Sequence, residues 1–127
     1  MQAIPPAPTI LAETVRRALS EDIDRGDITT QACIEPTTLG TATLNAREPL
    51  VVCGLAILEE VFAQVDLLVD VDTHAQDGDL VEAGTSLATL SGPATSILLG
   101  ERVALNFLQR LTGVSTMTRH FVDALPD

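Results

Sequence analysis

The stretch Gly54-Leu55-Ala56-Ile57-Leu58-Glu59-Glu60-Val61-Phe62-Ala63-Gln64-Val65-Asp66-Leu67-Leu68-Val69-Asp70-Val71-Asp72 carries two different periods in succession. In its first part Leu55, Leu58, Val61, Phe62 and Val65 recur at three- and four-residue spacing, with Glu59, Glu60 and Gln64 on the other side. That is the pattern of an amphipathic helix, opened by Gly54, whose apolar face must lie on something flat. From Val65 onward the apolar Val65, Leu67, Val69 and Val71 alternate with Asp66, Leu68, Asp70 and Asp72. A period close to two predicts a half-buried strand with a strongly acidic outer face. Helix followed by one-sided strand predicts an α+β layer arrangement.

The same reading extends in both directions. Upstream, the Pro-rich opening at Pro5, Pro6 and Pro8 gives way at Thr9, a candidate N-cap, to a short helix with Leu11, Val15, Ala18 and Leu19 on one face. Glu21 to Thr30 combines acids, glycine and hydroxyls, which favour local side-chain to backbone bonds, and predicts a structured loop. Leu39 to Leu44 and Leu50 to Cys53 predict strands joined through Glu48-Pro49. Downstream, turns at Gln76 to Asp79 and Ala83 to Thr85 separate short strands at Leu80-Val81 and Ser86 to Leu90, giving an antiparallel or mixed sheet. Ser91-Gly92-Pro93 is expected to break that sheet, and Thr95 or Ser96 to cap a helix reaching about Thr112, with Gly113 as its stop. Val114, Met117, Phe121 and Ala124 then predict another helix, with nothing after it to pack on, so the ending at Asp127 reads as a cut.

The chain of 127 residues suits one domain and is short for a two-domain enzyme. Hydrophobic residues make up 46% and charged residues 20%, enough apolar surface for a core. Eighteen acids against seven bases give a net charge of -11, which argues against nucleic acid or an anionic membrane as partner. All the basic residues are Arg, so no lysine exists here to form a Schiff base or carry biotin or lipoate. Cys33 and Cys53 lack zinc or redox spacing and are expected to be buried free thiols. Met1 to Pro8 has no signal-like pattern and no stretch reaches a membrane-spanning length, which predicts a reduced, cytoplasmic protein.

Chemistry-bearing patterns are sparse. The helix from Ile97 to Leu111 has an apolar stripe through Leu98, Ala104, Leu105, Leu108 and Leu111, and a polar line through Arg102, Asn106, Gln109 and Arg110. On pattern alone that line reads as a solvated face. The acidic segment Glu21 to Asp27 lacks the spacing and closing glutamate of a calcium loop, and no metal site is expected. His74 and His120 read as surface histidines, and neither a nucleophile elbow nor a glycine-rich phosphate loop is present.

Three segments nevertheless resemble the amino-terminal part of quinolinate phosphoribosyltransferase, the carboxylating nicotinate-nucleotide pyrophosphorylase. They are Ala18-Leu19-Ser20-Glu21-Asp22-Ile23-Asp24-Arg25-Gly26-Asp27-Ile28-Thr29-Thr30, Ala46-Arg47-Glu48 through Gly54 with its following helix, and Gly100-Glu101-Arg102-Val103-Ala104-Leu105-Asn106-Phe107-Leu108-Gln109-Arg110-Leu111-Thr112-Gly113-Val114-Ser115-Thr116. The resemblance implies a transferase of NAD biosynthesis that joins quinolinate to phosphoribosyl pyrophosphate with Mg²⁺, releasing pyrophosphate and carbon dioxide to leave nicotinate mononucleotide. It implies an open-faced α/β sandwich over residues 1–113. A C-terminal helical extension, residues 114–127, would be the first helix of an α/β barrel domain otherwise absent from these residues. The family's homodimer completes each site across subunits, and Arg102 matches the arginine that reaches the partner's site and binds a substrate carboxylate. No catalytic residue and no metal ligand is carried over, so these 127 residues alone are expected to be inactive.

Two alternatives accompany this reading. The related molybdenum-transport-associated phosphoribosyltransferase-like family resembles the same fold, with similar Gly-Asp-Thr-Thr and Glu-Arg segments. A free-standing protein-interaction module would use the sandwich and the face of Val114, Met117 and Phe121 to bind a partner. The strand-and-turn pattern around Gly78, Gly84 and Gly92 is also similar to biotinyl or lipoyl carrier domains, which the lack of lysine removes.

Overall fold

The computed structural model describes residues 4–24 and 33–127. In chain order the elements are α1 (Pro8–Asp24), β1 (Leu39–Asn45), β2 (Leu50–Val51), α2 (Leu55–Val65), β3 (Asp70–Thr73), β4 (Leu80–Val81), β5 (Ser86–Pro93) and α3 (Ala94–Ala124). The chain is α+β, as the two periods predict. β5 is the central strand of an antiparallel sheet ordered β1-β5-β3, and β2 pairs with β4 in a separate antiparallel ribbon. The β1–β5 register runs from Leu39 opposite Pro93 to Leu44 opposite Ala88, then skips Leu87 so that Asn45 meets Ser86. That bulge lets the consecutive Leu87 and Ala88 both be buried.

One sheet face is wet and the other is covered. Thr41, Thr43, Asp70 and Asp72 are exposed, while Ala42, Leu44 and Val71 turn toward a core that contains Leu90 of β5. α2 contributes Leu58, Val61 and Phe62 to that core, α3 contributes Ile97, Val103, Ala104 and Leu108, and α1 contributes Val15 and Leu19. This is the open-faced sandwich that the resemblance implies. Phe62 is its largest fully buried side chain, at 1% exposure.

Several local expectations give way to tertiary contacts. α1 begins at Pro8, whose missing N–H costs nothing at a first helical position, so Thr9 lies inside the helix rather than capping it. Glu21 to Asp24 form the last turn of α1 instead of a loop, and the remainder of the expected loop, 25–30, lies outside the described residues. The strand expected from Val65 shrinks to Asp70–Thr73, because α2 runs to Val65 and Leu67 and Leu68 lie in an exposed turn. Within that turn the Asp66 carboxylate accepts the Leu68 N–H at 2.9 Å.

Ser91-Gly92-Pro93 continues β5 instead of ending it. Gly92, at φ 150°, allows this because a Cβ there would meet the Leu68 carbonyl oxygen at 2.8 Å, so only glycine permits that close approach. α3 follows Pro93 directly and has no side-chain cap. Ser96 donates instead to Asp66 Oδ2 at 2.7 Å, tying the start of α3 to the end of α2. Gly113 does not stop the helix, which runs 31 residues from Ala94 to Ala124. Thr112 and Thr116 tie this stretch to the β2 segment: Thr116 Oγ1 accepts the Val51 N–H at 2.9 Å, and Thr112 Oγ1 donates to the Cys53 carbonyl at 3.2 Å. Lastly, Cys33 is exposed rather than buried, and Cys53 is only partly buried.

Candidate functional site

α3 positions the polar line singled out in the sequence. Its approach to α2 is set by Gly100, where a Cβ would fall 2.7 Å from Phe62 Cε1. Without a side chain at 100 the helix can lie against the Phe62 ring. Arg102, two residues on, then points away from the core with its side chain 65% exposed. The buried side of this helix is Ile97, Val103, Ala104 and Leu108, whereas Leu98, expected in the apolar stripe, stays exposed.

Arg102 is not a free-standing solvated arginine. Its Nη1 donates to Asp22 Oδ1 at 3.4 Å, from a carboxylate only 19% exposed near the C-terminal end of α1. Beside this pair, α1 and α3 enclose a mixed polar cleft of about 310 Å³, lined in part by Glu21, Asp22, Asn106, Phe107 and Arg110. The structure thus brings Arg102, Asn106 and Arg110 to the side of α3 that faces the end of α1. An always-charged planar fork on an exposed face can take a carboxylate through two parallel hydrogen bonds. Sequence periodicity gave no signal for Asp22, because 80 residues separate it from Arg102.

A second concavity of about 330 Å³ lies between β1 and α3, with Ala42, Leu44, Leu90, Leu98 and Leu105 among its walls and Glu101 as its charged lining residue. It offers apolar surface and little to orient a polar substrate.

The remaining candidates stay apart. His74 Nε2 lies 2.9 Å from Thr89 Oγ1 on the sheet, and His120 is exposed on the far part of α3. Burial and the neighbouring Asp77 carboxylate push the Cys53 thiol up, against the lowering effect of its hydrogen bond with Ser115, so the reactive thiolate is disfavoured. Asp77 itself accepts the Gly54 N–H through both carboxylate oxygens at 3.0 Å and the Leu55 N–H at 3.1 Å, capping α2 from a distant turn. Among the described residues no three His, Cys, Asp or Glu side chains converge as metal ligands, so no step through a metal is derived from them.

A family model described as the N-terminal domain of quinolinate phosphoribosyl transferase matches residues 27–112. The chain belongs to this family. It is 39% identical over 127 residues to a protein of Nicotiana tabacum named quinolinate phosphoribosyltransferase [decarboxylating] 2b, mitochondrial, which covers 98% of this chain and 36% of the relative. It is 41% identical over 107 residues to a probable nicotinate-nucleotide pyrophosphorylase [carboxylating] of Bacillus subtilis, covering 84% of this chain and 37% of that one. Among solved structures, NadC from Streptococcus pyogenes superposes with a TM-score of 0.92 at 34% identity, over 98% of this chain and 45% of that one. The chain therefore spans less than half the length of these relatives. As a member of the quinolinate phosphoribosyl transferase family it has the N-terminal domain's small antiparallel sheet, covering helices and C-terminal helix. No helix is long and apolar enough to cross a membrane among the described residues.

Proposed function

We propose that this chain is the N-terminal part of a phosphoribosyltransferase of NAD biosynthesis, the carboxylating nicotinate-nucleotide diphosphorylase. That enzyme joins quinolinate to phosphoribosyl pyrophosphate, forming nicotinate mononucleotide with release of pyrophosphate and carbon dioxide. Arg102 is the substrate-binding residue that this chain supplies. The observation that carries this reading is the placement of Arg102. It stands exposed on a helix pressed against the core by Gly100, beside a polar cleft, in a chain of this family.

Its guanidinium grips a quinolinate carboxylate by charge-assisted bonds and offsets the field of a chain carrying a net charge of -11. Because the side chain points outward, the carboxylate it meets belongs to a site built largely by other residues. We assign that site to the second subunit of a homodimer. Mg²⁺ enters with phosphoribosyl pyrophosphate as part of that remaining site, not through these residues.

Residues 1–113 form the sandwich domain in this reading, and 114–127 begin the barrel domain. Support comes from burial: the last buried residue of α3 is Leu108, and Val114 to Ala124 hold none. A cytoplasmic location belongs to the same proposal, supported by two cysteines that stand as free thiols.

The test is kinetic. In the protein as its gene encodes it, R102A is expected to lower kcat/KM for quinolinate about 10- to 100-fold, the worth of hydrogen bonds to a charged group. R102K keeps the charge without the fork and should fall between the two. An unchanged R102A enzyme would overturn the assignment. The 127 residues alone are expected to form no nicotinate mononucleotide, and measurable product would contradict the division of the site.

A further inference from the structure

We propose that Asp22 is a positioning residue for Arg102, holding the guanidinium in the direction from which it receives a substrate carboxylate. This deepens the function proposed above and rests on it. The first support is the singular character of the pair. Other ion pairs among the described residues are local: Glu13 with Arg16 and Arg17 inside α1, Arg119 with Asp123 inside α3, and Asp72 with His74 at the end of β3. Arg102 with Asp22 is the ion pair that joins two elements, among the described residues.

The second support is geometric. Only Nη1 is engaged, at 3.4 Å, and Arg102 makes no other hydrogen bond among the described residues. The edge formed by Nε and Nη2 is left for a bidentate grip on an incoming carboxylate. Asp22 can restrain its partner because it is the more buried of the two. It sits on a helix anchored by the fully buried Val15 and the nearly buried Leu19. A long arginine restrained before binding loses less rotamer freedom when the ligand arrives. Asp22 touches no substrate in this scheme, and its effect runs entirely through Arg102.

The experiment measures steady-state kinetics on D22N, D22E, R102A and the double variant D22N/R102A in the protein as its gene encodes it, varying quinolinate and phosphoribosyl pyrophosphate separately. D22N keeps the shape of the side chain and removes its charge. It is expected to raise KM for quinolinate roughly two- to fivefold, the scale of a partly exposed ion pair, with kcat and KM for phosphoribosyl pyrophosphate unchanged. D22E should restore most of the loss. In the R102A background D22N should add nothing, because coupled residues are not additive.

The inference is overturned if D22N leaves KM unchanged or lowers it, since Asp22 would then be idle or a competitor. It is equally overturned if D22N has the same effect with and without Arg102, or acts only through a lowered melting temperature. Failure of the underlying function shows elsewhere. It appears as a wild-type protein that makes no product, or as R102A with an unaltered KM for quinolinate.

Discussion

Helix α3 changes its surroundings halfway along while the helical spacing of its apolar residues continues. Between Ile97 and Leu108 the side chains of Ile97, Val103, Ala104 and Leu108 enter the core with Phe62, and Gly100 is itself buried. From Val114 onward Val114, Met117 and Phe121 repeat the same helical spacing, yet Val114 is 67% and Phe121 68% exposed. The two glycines repeat the contrast. A methyl group at Gly100 would collide with a buried ring, whereas one at Gly113 would meet nothing within 4 Å. Equal hydrophobic periodicity thus marks a face that wants covering and does not say what covers it. In the first half the cover is this chain's own sheet and α2.

The largest expected effect comes from Gly100. G100A should destabilise the fold by about 1 to 2 kcal/mol, because overpacking against Phe62 outweighs the gain in helix propensity. Denaturant midpoints measure it, and a stabilised G100A would remove the contrast between the halves. G113A should do the reverse, raising stability by about 0.5 to 1 kcal/mol, as expected for an unobstructed alanine in a helix. A destabilised G113A would mean that this part of α3 is not helical in solution.

Phe121 tests the exposed half directly. F121Q should change the stability of the 127-residue chain by no more than about 0.5 kcal/mol in either direction. A large loss would show that the second half is packed after all.

The smallest effect concerns the anchor at the start of α3. Ser96 first, and then the Leu68 N–H, hold the Asp66 carboxyl below the ordinary carboxylate range. A lowered folded value means that the contribution of Asp66 is complete above about pH 4 and fades as pH falls through the folded value. D66N should remove that part of the acid sensitivity, and a pH profile of stability identical to wild type would show that the Ser96 contact contributes nothing.

Much of this was legible beforehand. The switch of period between Leu55 and Val71 is a local property, and it locates α2 with its inner face and a strand after it, although that strand is confined to Asp70–Thr73 and leaves Leu67 exposed. Arg102 was visible through the segment Gly100-Glu101-Arg102, though periodicity alone placed it on an ordinary wet face. The misreadings share one cause. Gly92, Gly113 and Ser96 were judged by what such residues do in isolated segments, as sheet breaker, helix stop and helix cap. Leu68, Val51 with Cys53, and Asp66 lie elsewhere and decide otherwise. Cys33 was judged by its apolar surroundings in sequence, and it stands exposed.

Hydrophobic periodicity, charge and motif order by themselves determined the α+β class, most of the inner faces of α1 and α2, the acidic exterior and the family. Those properties depend on residues close together within each segment and on the order of the segments along the chain. Only the tertiary structure decided that α3 is one unbroken helix, that Gly100 exists to admit Phe62, and that Arg102 lies beside Asp22. Each of these joins groups distant in sequence, and neither propensity nor pattern encodes a distance across the fold.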